Sequence, residues 1–170
     1  MKAPARDRPK MPEGYIAAGS KGMLPWSAAE RLLTTAPYVW LATTGADGGP
    51  HLVQQWAVWI DQHLYFDGSE RTRWARNLAR DPRLSFGAQQ GHRAIYGDGR
   101  VELVRAVTPA LARRIARQFS AKYGSGFKYR PKAAQYENGY VYKVSPEKLI
   151  AFDVKKFNTS ATRFRFSPTP

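Results

Sequence analysis

The sequence predicts an α+β fold built around an antiparallel β-barrel. Three observations carry this reading. About seven or eight segments read as strands, against two or three as helices. The strands follow one another in turn-linked runs and do not alternate with helices in the β–α–β manner. No G-x-G-x-x-G and no P-loop signature occurs, which excludes a Rossmann domain and a P-loop enzyme. The length of 170 residues suits one domain.

Residues 1–22 are rich in Pro, Gly and charge. They are expected to form an irregular arm on the surface or on a partner subunit, and residues 23–170 the folded domain. A first helix is expected from Ser27, where Ser27 and Glu30 spell a capping box. Leu32 and Leu33 supply its apolar face and Pro37 ends it. Residues 38–44 are aromatic and β-branched and read as a strand. A Gly- and Asp-rich turn follows. Residues 51–60 read as one strand, Asp61-Gln62 as a turn, and residues 64–66 as the next strand. Residues 71–80 read as a short helix closed by Asp81-Pro82, with Trp74, Ala75 and Leu78 inward. Residues 83–90 and 93–104 pair across Gly91-His92, and Gly97-Asp98-Gly99 marks a bulge. Thr108 caps a helix with Pro109 at its first position, and Leu111, Ile115 and Phe119 recur every fourth residue. A basic loop is expected over residues 124–136. Strands over 140–144, 149–154 and 162–166 close the chain.

Lys plus Arg number 27 against 13 Asp plus Glu, a net charge of +14. A surface so basic should attract a polyanion: nucleic acid, anionic lipid or a phosphorylated small molecule. The absence of Cys excludes thiol nucleophiles, iron–sulfur clusters, zinc knuckles and disulfides. Three His residues leave little for a metal centre, and none is expected. No segment nears the ~20 apolar residues that span a bilayer, so no membrane partner is expected. The first ten residues carry no apolar signal-peptide core, and a cytoplasmic location is expected.

The densest candidate for chemistry is Arg71-Thr72-Arg73-Trp74-Ala75-Arg76-Asn77. Cationic and polar side chains open a helix there, where free backbone N–H groups and the dipole favour a phosphate. Arg adds bidentate geometry. The plain alternative is a solvated basic helix face. Just upstream, Phe66-Asp67-Gly68-Ser69 would let a ligand ring lie on the barrel while its phosphate reaches the helix. Gln54 and Gln55 sit on opposite faces of an otherwise apolar strand. A buried Gln needs partners, which a heteroaromatic ligand can supply. Residues 103–136 contain basic side chains interleaved with Tyr123, Phe127 and Tyr129, a pattern that also suits single-stranded nucleic acid. No Ser/His/Asp arrangement and no telling carboxylate pair occurs, so no catalytic residue is assigned.

Several motifs, in this order, resemble the flavin-binding split-barrel family of the pyridoxamine 5′-phosphate oxidase type. The likeness is closest to its small actinobacterial flavin or deazaflavin oxidoreductases. The matching pieces are Leu24-Pro25-Trp26-Ser27, Tyr38-Val39-Trp40-Leu41-Ala42-Thr43, Asp47-Gly48-Gly49-Pro50-His51 and Trp56-Ala57-Val58-Trp59. Leu64-Tyr65-Phe66, Ala75-Arg76-Asn77-Leu78-Ala79-Arg80-Asp81-Pro82-Arg83 and Ala161-Thr162-Arg163-Phe164-Arg165-Phe166 complete the set. The resemblance covers roughly residues 23–166. It implies a six-stranded antiparallel split β-barrel with flanking helices, working as a homodimer. It implies FMN or the deazaflavin coenzyme F-420 as cofactor, and hydride transfer to or from an unidentified small organic substrate. The ring would lie along Val53, Gln54, Gln55 and Trp56, and the phosphate on Arg71, Thr72, Arg73 and Asn77. Phe66, Asp67, Trp74 and Arg163 complete the expected cofactor-binding set, Arg163 near the partner's cofactor. Two departures stand out. Trp74 takes the place of a usual Lys, where it could stack on the ring or fill the pocket, and the second strand lacks a common Pro near Gln54 and Gln55. The competing readings are a non-catalytic flavin or haem carrier and a basic nucleic-acid-binding module; a nucleic-acid partner is not the expected one.

Overall fold

The computed structural model describes residues 2–167. Its strands form one antiparallel sheet that divides into two branches. The elements are β1 (Ala5–Asp7), α1 (Trp26–Thr35), β2 (Val39–Thr44), β3 (Pro50–Gln55), β4 (Val58–Ile60) and β5 (His63–Phe66). They continue with α2 (Arg73–Arg80), β6 (Arg83–Gln90), β7 (Arg93–Val104), α3 (Pro109–Tyr123) and α4 (Ala133–Glu137). The last are β8 (Val141–Asp153), a 3-10 turn (Val154–Lys156), α5 (Phe157–Ser160) and β9 (Thr162–Arg165). The α+β class follows from the sequence pattern, and the described residues form nine strands, more than the seven or eight read from the pattern and the six the resemblance implies.

The order β1-β9-β8-β7-β6-β2-β3 forms the main path. β8 is the hinge of the split. It pairs with β7 along its length, with β9 over Lys148–Ala151, and with β5 over Tyr142–Val144. The sequence reading places two strands here, over 140–144 and 149–154, with Ser145, Pro146 and Glu147 between them. In the structure they form a bulge: Gly99 faces Pro146 and Asp98 faces Lys148, leaving Glu147 without a partner in register. A bulge is where a strand tolerates proline. The expected irregularity at Gly97-Asp98-Gly99 is the other half of this feature. β7 and β8 approach so closely that a Cβ on Gly97 would fall on the Lys148 carbonyl oxygen.

The expected strand over 51–60 is broken at Trp56-Ala57. β3 pairs with β2, whereas β4 pairs with β5, so the chain changes branches there. The first core lies between the sheet, α1 and α2: Leu33, Leu41, Phe66, Phe86, Leu149 and Phe164 are buried with Trp74 and Leu78. A second core joins Val58, Ile60 and Tyr65 to Ile115, Phe119 and Tyr123 of α3 and to Tyr136 of α4.

Two local expectations are corrected. The expected irregular arm contains β1, which pairs with β9. Arg8 holds it down, donating to the carbonyls of Gly19, Lys21, Thr159 and Ala161 at 2.7–2.8 Å. The capping box does not form, because α1 begins one residue early behind Pro25, with no side-chain cap. Glu30 instead accepts a hydrogen bond from the Trp59 indole N–H at 3.2 Å.

Candidate functional site

α2 forms because its apolar residues lie on one side. Trp74, Ala75 and Leu78 are buried, and Asn77 with them. Thr72 is its N-cap: Thr72 Oγ1 accepts from the Ala75 N–H at 3.3 Å and donates to the Ser69 carbonyl at 2.9 Å. Asn77 Nδ2 donates to Thr43 Oγ1 at 3.0 Å, and the Arg80 guanidinium donates to the Thr44 carbonyl. These bonds seat the helix on β2 and on the turn that follows it. In that turn Asp47 accepts the Gly49 N–H at 3.0 Å, and this bond, aided by the nearby Arg73 and Arg80, holds its carboxyl below the usual range.

Arg71, just before the N-cap, and Arg73, Arg76 and Arg80 on the opposite side of α2 are all exposed. Among the described residues none of the four forms an ion pair, whereas Arg83, Arg93, Arg100, Arg105, Arg114, Arg163 and Arg165 all do. Arg76 donates to the Arg71 carbonyl at 2.6 Å. Unpaired arginines at a helix start, where backbone N–H groups lack intrahelical acceptors, have the chemistry that suits an anion.

β3 runs toward this surface. Val53 and Gln55 are half-buried and Gln54 is exposed, so only Gln55 turns inward. Gly68 adopts φ 153°, and a Cβ there would lie 2.7 Å from the Trp74 ring and 3.8 Å from Gln55 Nε2. The end of β3, the loop after β5 and the start of α2 therefore converge.

The remaining expected ligands divide. Phe66 and Trp74 are core residues with relative exposures of 0% and 4%. Phe66 stacks on Tyr142, and Trp74 meets both rings edge-on. Trp74 thus fills the interior, and its indole does not replace the usual cation. Asn77 is engaged by Thr43. Arg163 lies on β9, away from α2, in a two-bond ion pair with Asp7 of β1 at 2.8 Å. Trp56 stacks on Tyr123 at 4.9 Å and touches Phe127 and Tyr129.

Burial raises the Asp67 carboxyl from its ordinary value, only partly opposed by hydrogen bonds from Tyr129 and Gln135. Its Oδ2 accepts from Gln135 Nε2 at 3.1 Å and Tyr129 Oη at 3.4 Å. Gln135 and Tyr136 were not singled out in the sequence, since α4 was expected to be loop. Lys122 is one of the basic side chains of residues 103–136, with nothing in the local sequence to set it apart. Its amine is buried against the Ala57 and Leu33 carbonyls at 2.9 and 3.4 Å, and burial lowers it to about 8. The aromatic residues of the basic window pack on one another and on Trp56, with Phe127 alone of Tyr123, Phe127 and Tyr129 strongly exposed at 40%. They are not a row of free stacking platforms for bases.

Among the described residues no helix is long and apolar enough to cross a membrane. Solved structures share the fold. A conserved hypothetical protein, Rv2991, from Mycobacterium tuberculosis is 22% identical, with 89% of this chain and 96% of that chain covered at a TM-score of 0.66. An F420 reductase is 23% identical, covering 82% and 98% at 0.54. HutZ, a haem storage protein of Vibrio cholerae, is 17% identical, covering 71% and 89% at 0.55. No curated protein matches. A family model described as pyridoxamine 5′-phosphate oxidase matches residues 26–157. With the split antiparallel sheet and the arginine-lined start of α2 in place, this match establishes that the chain belongs to the pyridoxamine 5′-phosphate oxidase family.

Proposed function

We propose that this chain is an oxidoreductase that binds FMN or a deazaflavin coenzyme and passes a hydride between it and a small organic substrate, in the cytoplasm, as a homodimer. The observation that carries the reading is the set of unpaired arginines, Arg71, Arg73 and Arg76, at the start of α2 beside the end of β3. Such a cofactor supplies the hydride chemistry itself. The residues present fit its phosphate: Arg71 and Arg73 offer charge and paired donors, and the first turn of α2 offers backbone N–H groups. Gln55, which turns inward, offers hydrogen bonds to a ring edge, and Trp56 an aromatic wall. A free deazaflavin also carries an oligoglutamate tail, which a net charge of +14 would attract.

The homodimer rests on a second feature. Trp40, Leu52 and Tyr96 are exposed by 48%, 63% and 43% on neighbouring strands. Register places Trp40 beside Gly87 and Gly87 beside Tyr96, so the two rings share one row across the outer face. A second copy covering this face would remove apolar surface from water. Light scattering at micromolar concentration tests the assembly, and a monomer with cofactor bound refutes it.

The deciding experiment is the absorbance spectrum of the purified protein, followed by calorimetric titration with FMN and with the deazaflavin coenzyme. Binding of either, weakened by Arg73→Ala by about 1–3 kcal/mol, is the expected result. Failure of both to bind, or a haem spectrum instead, refutes the reading.

A further inference from the structure

The aromatic segment that follows α3 is fastened to the barrel at one polar point. Among the described residues, every side-chain hydrogen bond that joins residues 125–139 to the barrel ends on Asp67. Tyr129 Oη and Gln135 Nε2 both reach its Oδ2, and they also bond each other at 3.2 Å. Lys128, Arg130, Lys132 and Glu137 form no ion pair that could serve as a second anchor. The backbone bonds from Phe127 and Tyr129 run only to the Tyr123 carbonyl, at the end of the helix the segment leaves. Lys128 sits between them at φ 55°, a left-handed conformation that reverses the chain and that a non-glycine residue adopts only when its surroundings demand it.

The Tyr129 ring is held at both ends. Its hydroxyl is on Asp67, and its face lies 5.5 Å from Trp56 and 5.8 Å from Phe119. Tyr136 Oη is buried beside the same carboxyl without a hydrogen bond of normal geometry. Among the described residues Asp67 forms no ion pair, and the side-chain hydrogen bonds it accepts come from the neutral donors Tyr129 and Gln135.

We infer that Asp67 is a positioning residue: through Tyr129 and Gln135 it docks residues 125–139 against the end of β3 and so fixes Trp56 as a wall at the ring end of the cofactor site. The docking stands on contacts within this chain, while the role of Trp56 as a wall rests on the cofactor reading above. The segment's aromatic rings pack on Trp56 and Phe119, but its side-chain hydrogen bonds to the barrel all end on one carboxyl, so a change at Asp67 should loosen the segment without unfolding the barrel. Substrate size at that end would then be set by how firmly the segment is held.

The test uses the full chain with Asp67→Leu, Asp67→Asn and Tyr129→Phe. Trypsin cleaves after Lys128 and Lys132, though not after Arg130, which precedes Pro131, and mass spectrometry identifies the cuts. Asp67→Leu should accelerate cleavage at these sites about tenfold, as expected for losing a hydrogen bond of ordinary strength. Asp67→Asn keeps an acceptor and should stay near the wild-type rate. The emission of Trp56, obtained by difference from Trp56→Phe, should shift to the red in Asp67→Leu and not in Asp67→Asn. Should Asp67→Leu fail to fold, Tyr129→Phe leaves the carboxyl in place and must still raise cleavage at the same sites. Unchanged cleavage in a folded Asp67→Leu or Tyr129→Phe overturns the docking. Faster cleavage with an unchanged FMN and deazaflavin dissociation constant overturns the wall. If the wild-type chain binds neither cofactor, the cofactor reading and the wall fall together, and cleavage alone still decides the docking.

Discussion

Tyr123 closes a two-point clasp on Ala57: its hydroxyl accepts the Ala57 N–H at 3.0 Å and donates to the Ala57 carbonyl at 3.1 Å. Ala57 is fully buried at the point where the chain leaves β3 for β4. A strand that changes partners loses ladder bonds, and buried backbone groups need replacements. A phenol, able to donate and accept at once, supplies both. Burial pushes the Tyr123 hydroxyl up to about 12, so it stays protonated and keeps its donor.

Tyr123→Phe removes both bonds while keeping the ring that stacks on Trp56. One buried N–H is then left without a partner, and the Ala57 carbonyl keeps only Lys122. The expected loss is about 2–4 kcal/mol, read as a lower urea midpoint with an unchanged slope. A loss below ~0.5 kcal/mol would mean that Ala57 finds other partners.

Lys122 makes stability depend on pH. Its folded value is about 8 against an ordinary 10.5, lowered by burial with no carboxylate near to restore it. Between those values the unfolded chain binds more protons than the folded one, so stability rises with pH across that window. The full penalty, on the order of 3 kcal/mol, applies below it. Urea midpoints measured from neutral pH to 10.5 should climb in the wild type, and Lys122→Met should flatten that climb. An identical slope in both proteins would assign the titration to another group.

Asn77 and Arg73 share a helix and should fail differently. Asn77→Ala breaks the buried bond to Thr43, and the expected cost to folding is about 1–3 kcal/mol. Arg73→Ala touches no ion pair and should leave the melting temperature nearly unchanged while weakening cofactor binding. Paired thermal melts and titrations separate the two. A destabilised Arg73→Ala would give this arginine a structural role in place of the anionic one.

Arg8 should govern the N-terminal strand. It donates to carbonyls from two separate segments, Gly19 and Lys21 on one side and Thr159 and Ala161 on the other. Lysine cannot reproduce that fork. Arg8→Lys and Arg8→Ala should each cost about 2–3 kcal/mol and speed amide exchange at Ala5–Asp7, with β6 and β7 unaffected. Equal exchange at β1 in wild type and variants would show that the β1–β9 ladder holds without Arg8.

Local chemistry was legible wherever neighbours in sequence decide it. Thr108 and Pro109 start α3, Trp74, Ala75 and Leu78 face inward on α2, and β6 and β7 begin and end where alternation and the Gly91-His92 turn place them. The basic start of α2 was legible for the same reason: its arginines fall on one side of a short amphipathic helix. Where long-range partners decide, the sequence misled. Ser27 and Glu30 make a good capping box in isolation, yet the Trp59 indole engages Glu30, since a buried N–H without an acceptor costs more than a missing cap gains.

By itself, then, the sequence determined the fold class, the antiparallel order and the cluster of arginines at the start of α2, because periodicity, turn chemistry and charge pattern are properties of short segments. Only the tertiary structure decided which residues are free to meet a ligand. Trp74 and Phe66 went to the core, Asn77 to Thr43 and Arg163 to Asp7, while Arg71 and Arg73 were left without ion pairs. Asp67 became an anchor for Tyr129 and Gln135. Burial and hydrogen-bond partners are set by which distant segments pack together, and no local pattern carries that information.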